Sequence, residues 1–222
     1  MKRSEVNAIL ASAEAFFNAN GFHLPPFADW TVDDYRREGE ATSAIRRAGL
    51  GWDVTDFGSD DFATTGLTLF TLRNGTGEFG SVPYAEKLML VEPGQRTPLH
   101  FHWRKTEDII VRAGGRLALR LYGSRSDEEP DIESPISVWT DGCRRTLAAG
   151  ECLEIGPGES VTLIPGTYHE FWGVSRRVLV GEVSSVNDDA TDNRFWPEAG
   201  RFPDIEEDAE PWRLLVTDVA RL

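Results

Sequence analysis

The sequence predicts a mainly β fold with helical additions at its N-terminus. Three observations carry this. Apolar residues recur at helical spacing within the first fifty positions. From Trp52 onward, short β-rich runs alternate with Gly, Pro, Asn and Asp, the residues that make turns. No strand–helix–strand alternation follows, so the runs belong to a sandwich or barrel and not to a parallel sheet with crossover helices.

The first element is a helix. Val6, Ile9, Leu10, Ala13, Phe16 and Phe17 form one apolar stripe, with Ser4 placed to cap its start and Gly21 to end it. Pro25 and Pro26 stop any continuation, because proline lacks the amide hydrogen and clashes with the preceding turn. A second helical stretch covers parts of Val32–Ala48 and ends near Gly49 and Gly51. Strands are expected near Leu67–Leu72, Ala85–Val91, Leu99–His102, Asp108–Arg112, Arg116–Tyr122, Ile136–Trp139, Arg144–Leu147, Ser160–Ile164, His169–Trp172 and Arg177–Ser184. In the tail, Trp212, Leu215, Val216 and Val219 suit a short closing helix. With no repeat and no linker, residues 1–222 read as one domain: a helical extension over 1–50, a barrel core over 51–185 and a C-terminal extension over 186–222.

A formal net charge of −14 excludes a nucleic-acid surface, which needs a basic patch to offset phosphate. The acidity reads as a solvated surface, with Ser124–Glu133 and Asp204–Glu210 contributing much of it. Cys143 and Cys152 have neither zinc nor redox spacing and read as ordinary thiols, although a bridge between neighbouring strands is conceivable. No apolar run reaches the length of a membrane span, and the first residues lack the apolar core of a signal peptide, so a cytoplasmic protein is expected.

The strongest chemical signal is Gly94-x5-His100-x-His102-x4-Glu107-x6-Gly114. Successive side chains on a strand point to opposite faces, so His100 and His102 share one. The short turn Trp103–Thr106 returns the chain, and Glu107 can add an oxygen from the next strand. A fourth ligand must come from elsewhere, and His169, in Pro165-Gly166-Thr167-Tyr168-His169, opens a later strand. Three of the four histidines fall in this arrangement, and His23 has no role in it. Three imidazoles and a carboxylate suit Mn(II), Fe(II), Co(II), Ni(II) or Zn(II). An octahedral ion on four protein ligands keeps two positions open for substrate oxygens, which favours manganese.

These two stretches resemble the two motifs of the cupins, His-x-His-x4-Glu with flanking glycines and Pro-Gly-x-x-His; Gly158 stands one residue further from Pro165 than is usual. The resemblance implies a double-stranded β-barrel with a metal held inside. A narrower resemblance covers nearly the whole chain. Met1–Asn7, Leu24–Trp30, His100–Ile109 and above all Glu182–Phe195 are similar to bacterial D-lyxose isomerases. That family implies interconversion of D-lyxose and D-xylulose, usually also of D-mannose and D-fructose, with Mn(II) preferred, in a homodimer.

Aldose–ketose isomerisation through an enediol needs a base near C2, a donor at the oxygens and a positive centre for the developing charge. Glu182 interrupts the apolar run Val178–Val183; buried there, it would have a raised pKa suited to a general base. Lys87 shares a strand face with Ala85, Met89 and Val91, where an ammonium needs an anionic partner or a substrate oxygen. Lys105, in the turn before Glu107, can bind substrate or give a proton. Asp192 and Arg194, in the polar loop beyond Glu182, can clamp distal hydroxyls. Phe171 and Trp172 read as barrel packing. Beside the sugar isomerase stand two alternatives on the same ligands, an iron-dependent dioxygenase and a non-catalytic sugar-binding or storage protein.

Overall fold

Helix α1 (Arg3–Ala19) lies against the outside of a large sheet. The computed structural model describes residues 1–76 and 81–222. Val6, Leu10, Ala13 and Phe17 are fully buried, and the Phe17 ring stacks on Trp52 with centroids 5.9 Å apart. The helix begins just before the expected Ser4 cap. Lys2 is the N-cap, its amide donating to Glu5 Oε2 at 2.8 Å, and the Ser4 hydroxyl donates to Asp208 at 2.7 Å. Arg3 is buried and bridges Glu207 and Asp218 at 2.7 and 3.0 Å. Part of the acidic stretch Asp204–Glu210 is therefore not a bare solvated surface; it ties the C-terminal segment to α1.

Pro26–Asp29 forms a short 3₁₀ turn. The second helical stretch divides into α2 (Val32–Glu38) and α3 (Ser43–Ala48), joined by a 3₁₀ turn and stopped by Gly49 in the left-handed region at φ 61°. The tail ends in a single turn, α4 (Val216–Val219).

The strands run β1 (Gly51–Thr55), β2 (Leu67–Arg73), β3 (Tyr84–Val91), β4 (His100–Phe101), β5 (Glu107–Gly114), β6 (Leu117–Ser124), β7 (Pro130–Asp131), β8 (Ile136–Thr140), β9 (Cys143–Leu147), β10 (Cys152–Ile155), β11 (Ser160–Leu163), β12 (Tyr168–Gly173), β13 (Val178–Ser185) and β14 (Arg194–Phe195). They make an eight-stranded sheet, β1-β2-β3-β13-β5-β11-β8-β9, and a six-stranded sheet, β10-β6-β12-β4-β14, with β7 on β6. All strand pairs are antiparallel. This is the double-stranded β-barrel that the sequence implied. Strands β1, β7, β10 and β14 were not anticipated.

Two apolar cores follow from strand alternation. Met89 and Val91 face inward with Leu69, Ile109, Val111, Leu119, Leu121, Phe171 and Val180, filling the space between the sheets. Leu88 and Leu90 point outward with Trp52, Val54, Phe70 and Leu179 and receive α1. Burying a side chain the size of Phe17 stabilises by roughly 1.5–3 kcal/mol, so this apolar face holds the helix alongside polar contacts such as Arg177 to the Ser12 hydroxyl at 3.1 Å. Trp172, on the same strand as Phe171, faces outward, with the Arg96 guanidinium 3.8 Å above its ring, so it does not pack the barrel. Cys143 and Cys152 are free and exposed, on strands of different sheets. No helix among the described residues is long and apolar enough to cross a membrane.

Candidate metal centre

The inward face of the six-stranded sheet carries the three histidines. His100 and His169 are directly paired residues of β4 and β12, so their rings lie 4.1 Å apart. His102 follows β4 with its ring turned to the same side, 5.1 Å from His100 and 5.6 Å from His169. Their candidate ligand atoms all lie within 4.8 Å of one another. Glu107, the first residue of β5, reaches over from the opposite sheet. Its Oε1 stands 3.1 Å from His169 Nε2 and 3.5 Å from His102 Nε2.

Hydrogen bonding decides what these atoms can do. Each imidazole uses Nδ1 toward a backbone carbonyl: His100 to Pro98 at 2.8 Å, His102 to Asp192 at 2.7 Å and His169 to Thr167 at 3.0 Å. A carbonyl only accepts, so Nδ1 carries the proton and Nε2 of the neutral ring presents a lone pair. Glu107 Oε1 is buried and has no hydrogen-bond partner among the described residues. Three nitrogen lone pairs and a carboxylate oxygen thus share one small volume with no donor among them. Such a group is costly unless a cation sits between its members. Burial first, then His169 and His102, push His100 well below the usual imidazole range. At Glu107 burial favours the neutral form, but the Lys105 ammonium, the largest opposing influence, helps hold the carboxyl well below its usual range. Neutral imidazoles and an ionised carboxylate are the forms that bind metal. The donor set therefore fits a divalent ion.

The eight-stranded sheet supplies a different kind of group. Glu182 and Lys87 are direct partners across β13 and β3, and both side chains are buried, on the face that carries Met89 as expected. Lys105 Nζ lies 2.8 Å from Glu107 Oε2 and 3.0 Å from Glu182 Oε1. Lys87 Nζ lies 3.5 Å from Glu182 Oε1 and 3.7 Å from Asp189 Oδ1. Arg201 Nη2 joins Asp189 at 3.1 Å and Asp53 at 2.6 Å. Charges therefore alternate from Asp53 to Glu107, with four carboxylates on three cations, a net of one negative charge. Asn187 Oδ1 accepts from Lys87 at 2.8 Å and from Lys105 at 3.3 Å.

The raised pKa expected for Glu182 is corrected. Burial does push it up, but Lys105 and Lys87 outweigh burial, and the carboxyl lies below its ordinary value. The same contacts raise Lys105 despite its burial.

Most of these residues line one cavity. Its apolar lining is Phe57, Leu67, Leu69, Met89 and Phe171, among others. His100, His102, Glu107, His169, Lys87, Lys105 and Glu182 are all brought together there. Asp192 and Arg194 are not. The Asp192 carboxylate accepts the backbone amides of Arg104 and Lys105, both at 3.0 Å, so it shapes the turn that carries Lys105. Arg194 donates to the Phe195 carbonyl at 2.6 Å and pairs with Glu128 at 3.7 Å, off the cavity wall. Asp189, Asn193 and Arg201 stand on that wall instead. Asp189 lies in the polar run already singled out; Arg201 carries no sequence signal of its own.

A family model described as D-lyxose isomerase matches residues 1–219. The chain belongs to the D-lyxose isomerase family. It is 48% identical to the D-lyxose/D-mannose isomerase of Serratia proteamaculans, over 100% of this chain and 99% of that one. It is 47% identical to the protein of the same description from Escherichia coli O157:H7, with the same coverage. Among solved structures, an L-ribose isomerase of Acinetobacter sp. DL28 superposes with a TM-score of 0.62 at 17% identity, covering 93% of this chain and 98% of that one, a likeness of fold. Family membership makes the chain an enzyme, a sugar isomerase, and sets aside both the dioxygenase and the storage readings.

Proposed function

We propose that the protein interconverts D-lyxose and D-xylulose, and D-mannose and D-fructose, by proton transfer through an enediol at a divalent metal held by His100, His102, Glu107 and His169. The observation that carries this reading is the convergence of four acceptor atoms, none with a donor among the others, beside a buried carboxylate flanked by two ammonium groups. The two relatives nearly half identical over the whole chain, both described as D-lyxose/D-mannose isomerases, support the choice of sugars. Manganese is the preferred ion in this reading: the family resemblance favours it, and three imidazoles with one carboxylate would hold it. When bound, the ion supplies Lewis-acid polarisation of those oxygens.

The chain's own groups move the protons. Glu182, ionised at neutral pH, takes the proton from C2 of the open-chain aldose while Lys105 gives one to O1. In the second half Glu182 returns its proton to C1, and O2 gives its proton to Lys105, which restores both groups. Lys87 donates a hydrogen bond to the oxygen charge. In the structure both lysines stabilise the Glu182 carboxylate. When sugar oxygens take over those hydrogen bonds, the carboxylate loses that support and becomes the stronger base. A homodimer is the assembly implied by the resemblance, and analytical ultracentrifugation tests it.

Glu182→Gln is expected to keep metal and sugar binding and to lose on the order of 10²–10⁴ in turnover, the range for removal of a general base. It should also abolish exchange of the C2 hydrogen with solvent deuterium. Near-normal isomerisation by this variant would end the base assignment.

A further inference from the structure

The alternating chain of charges leaves one donor unspent. Lys87 and Lys105 each face several oxygens. Arg201 is different: its Nη2 serves both Asp53 and Asp189, while its Nη1 is buried with no hydrogen-bond partner among the described residues. A guanidinium nitrogen carries two hydrogens, and leaving them unmet away from water is costly. Arg201 also lines the cavity that holds Glu182 and the three histidines.

The backbone around Arg201 is fixed. The Thr55 hydroxyl donates to the Arg201 carbonyl at 2.6 Å, and the Gly200 amide donates to the Phe57 carbonyl at 3.0 Å. Both contacts anchor it to the end of β1, so the guanidinium sits on a rigid support. Asp189 stands beside it, with Oδ2 on Arg201, Oδ1 3.7 Å from Lys87 and a side-chain hydrogen bond from Asn187, which leaves carboxylate lone pairs to spare. Phe57, Leu67 and Phe195, which line the same cavity as Asn193, offer no polar side-chain atom. Arg201 Nη1 and Asp189 thus form a donor–acceptor pair, the pattern that one hydroxyl meets by accepting and donating at once.

We propose that Arg201 and Asp189 grip a sugar hydroxyl beyond C2 and are specificity-determining residues of the site. This rests on the isomerase reading above. The two aldoses of that reading, D-lyxose and D-mannose, have the same configuration at C2, C3 and C4, so a grip on the C3 or C4 hydroxyl serves both and leaves the rest of the chain free to differ in length. Arg201→Lys keeps a cation between Asp53 and Asp189 but removes the Nη1 donor.

The test compares wild type and Arg201→Lys, both loaded with Mn(II), on D-lyxose and on its 3-deoxy and 4-deoxy analogues. Calorimetric binding of D-arabinitol, the alditol of D-lyxose, is measured alongside. Wild type should prefer D-lyxose over one of the deoxy analogues by on the order of 10²-fold in kcat/KM, the range for losing a hydrogen bond to a charged group. In Arg201→Lys that preference should shrink to a few-fold, D-arabinitol should bind more weakly, and thermal unfolding and Mn(II) stoichiometry should stay as in wild type. An undiminished preference in the variant, or equal handling of all three sugars by wild type, would overturn the inference. Failure of the wild-type protein to isomerise any aldose would instead overturn the reading beneath it, and this inference with it. Should Arg201→Lys not fold, the deoxy panel on wild type and on Asp189→Asn decides in the same way.

Discussion

The two sheets hold their shares of the site by different means. On the six-stranded sheet, each histidine is steadied by a backbone carbonyl on Nδ1, and what faces the cavity is a lone pair. On the eight-stranded sheet, Lys87 and Glu182 are steadied mainly by the side chains they face, joined through Lys105 to Glu107. The first half is set by main-chain geometry and needs no partner side chain to keep its shape. The second is a balance of charges, so removing one member leaves its neighbours uncompensated. That difference separates positioning from reactivity: the rigid half suits ligation, and the balanced half suits proton transfer.

Lys105→Met should show the contrast most strongly. It leaves Glu107 and Glu182 without the cation between them, and urea denaturation of the metal-stripped protein should report a loss of about 3–5 kcal/mol. Turnover should fall by more than in Glu182→Gln, since two groups lose their partner. Wild-type stability in this variant would mean that the charges are not coupled.

Acid sharpens the comparison next. Asp189 lies far below its ordinary value, because Lys87 and Arg201 outweigh the burial that opposes them. A depressed folded value means that the unfolded chain binds the proton first. The stabilisation is therefore complete above the unfolded value of about 3.9 and is lost as pH falls further toward the folded one. The melting temperature should drop as pH falls from about 4 to about 2, and less steeply in Asp189→Asn. Equal slopes would place the acid-sensitive group elsewhere.

The smallest effect is expected at the join between the halves. Asp192 accepts the amides of Arg104 and Lys105 with its side chain, and its own carbonyl receives His102 Nδ1. Asp192→Ala should weaken Mn(II) binding by about tenfold, the low end for groups that orient a ligand. Fluorescence-monitored competition with a chelator would measure it.

What could be read from the sequence follows the same division. His100 and His102 were legible because strand alternation puts them on one face, and Glu182 and Lys87 because a charge inside an apolar strand demands a partner. The direction of the Glu182 shift was not legible, since it depends on where the Lys105 head lies. Asp188, Asp189 and Asp192 are alike in composition, and only the path of the loop turns Asp189 to the cavity and Asp192 to the backbone. Arg201 lies beyond any periodic segment. Among the strands, Gly51–Thr55 escaped because it is buried on both faces and shows no alternation, with Asp53 made tolerable there by Arg201. Arg194–Phe195 escaped because two residues make no pattern.

The central claim is that three imidazole nitrogens and one carboxylate oxygen bind a single cation. Calorimetric titration of metal-stripped protein with Mn(II) tests it directly. The expected result is one ion per chain in wild type and in Glu182→Gln, and none at comparable affinity in His169→Ala or Glu107→Gln. Unchanged binding in those last two variants would contradict the account.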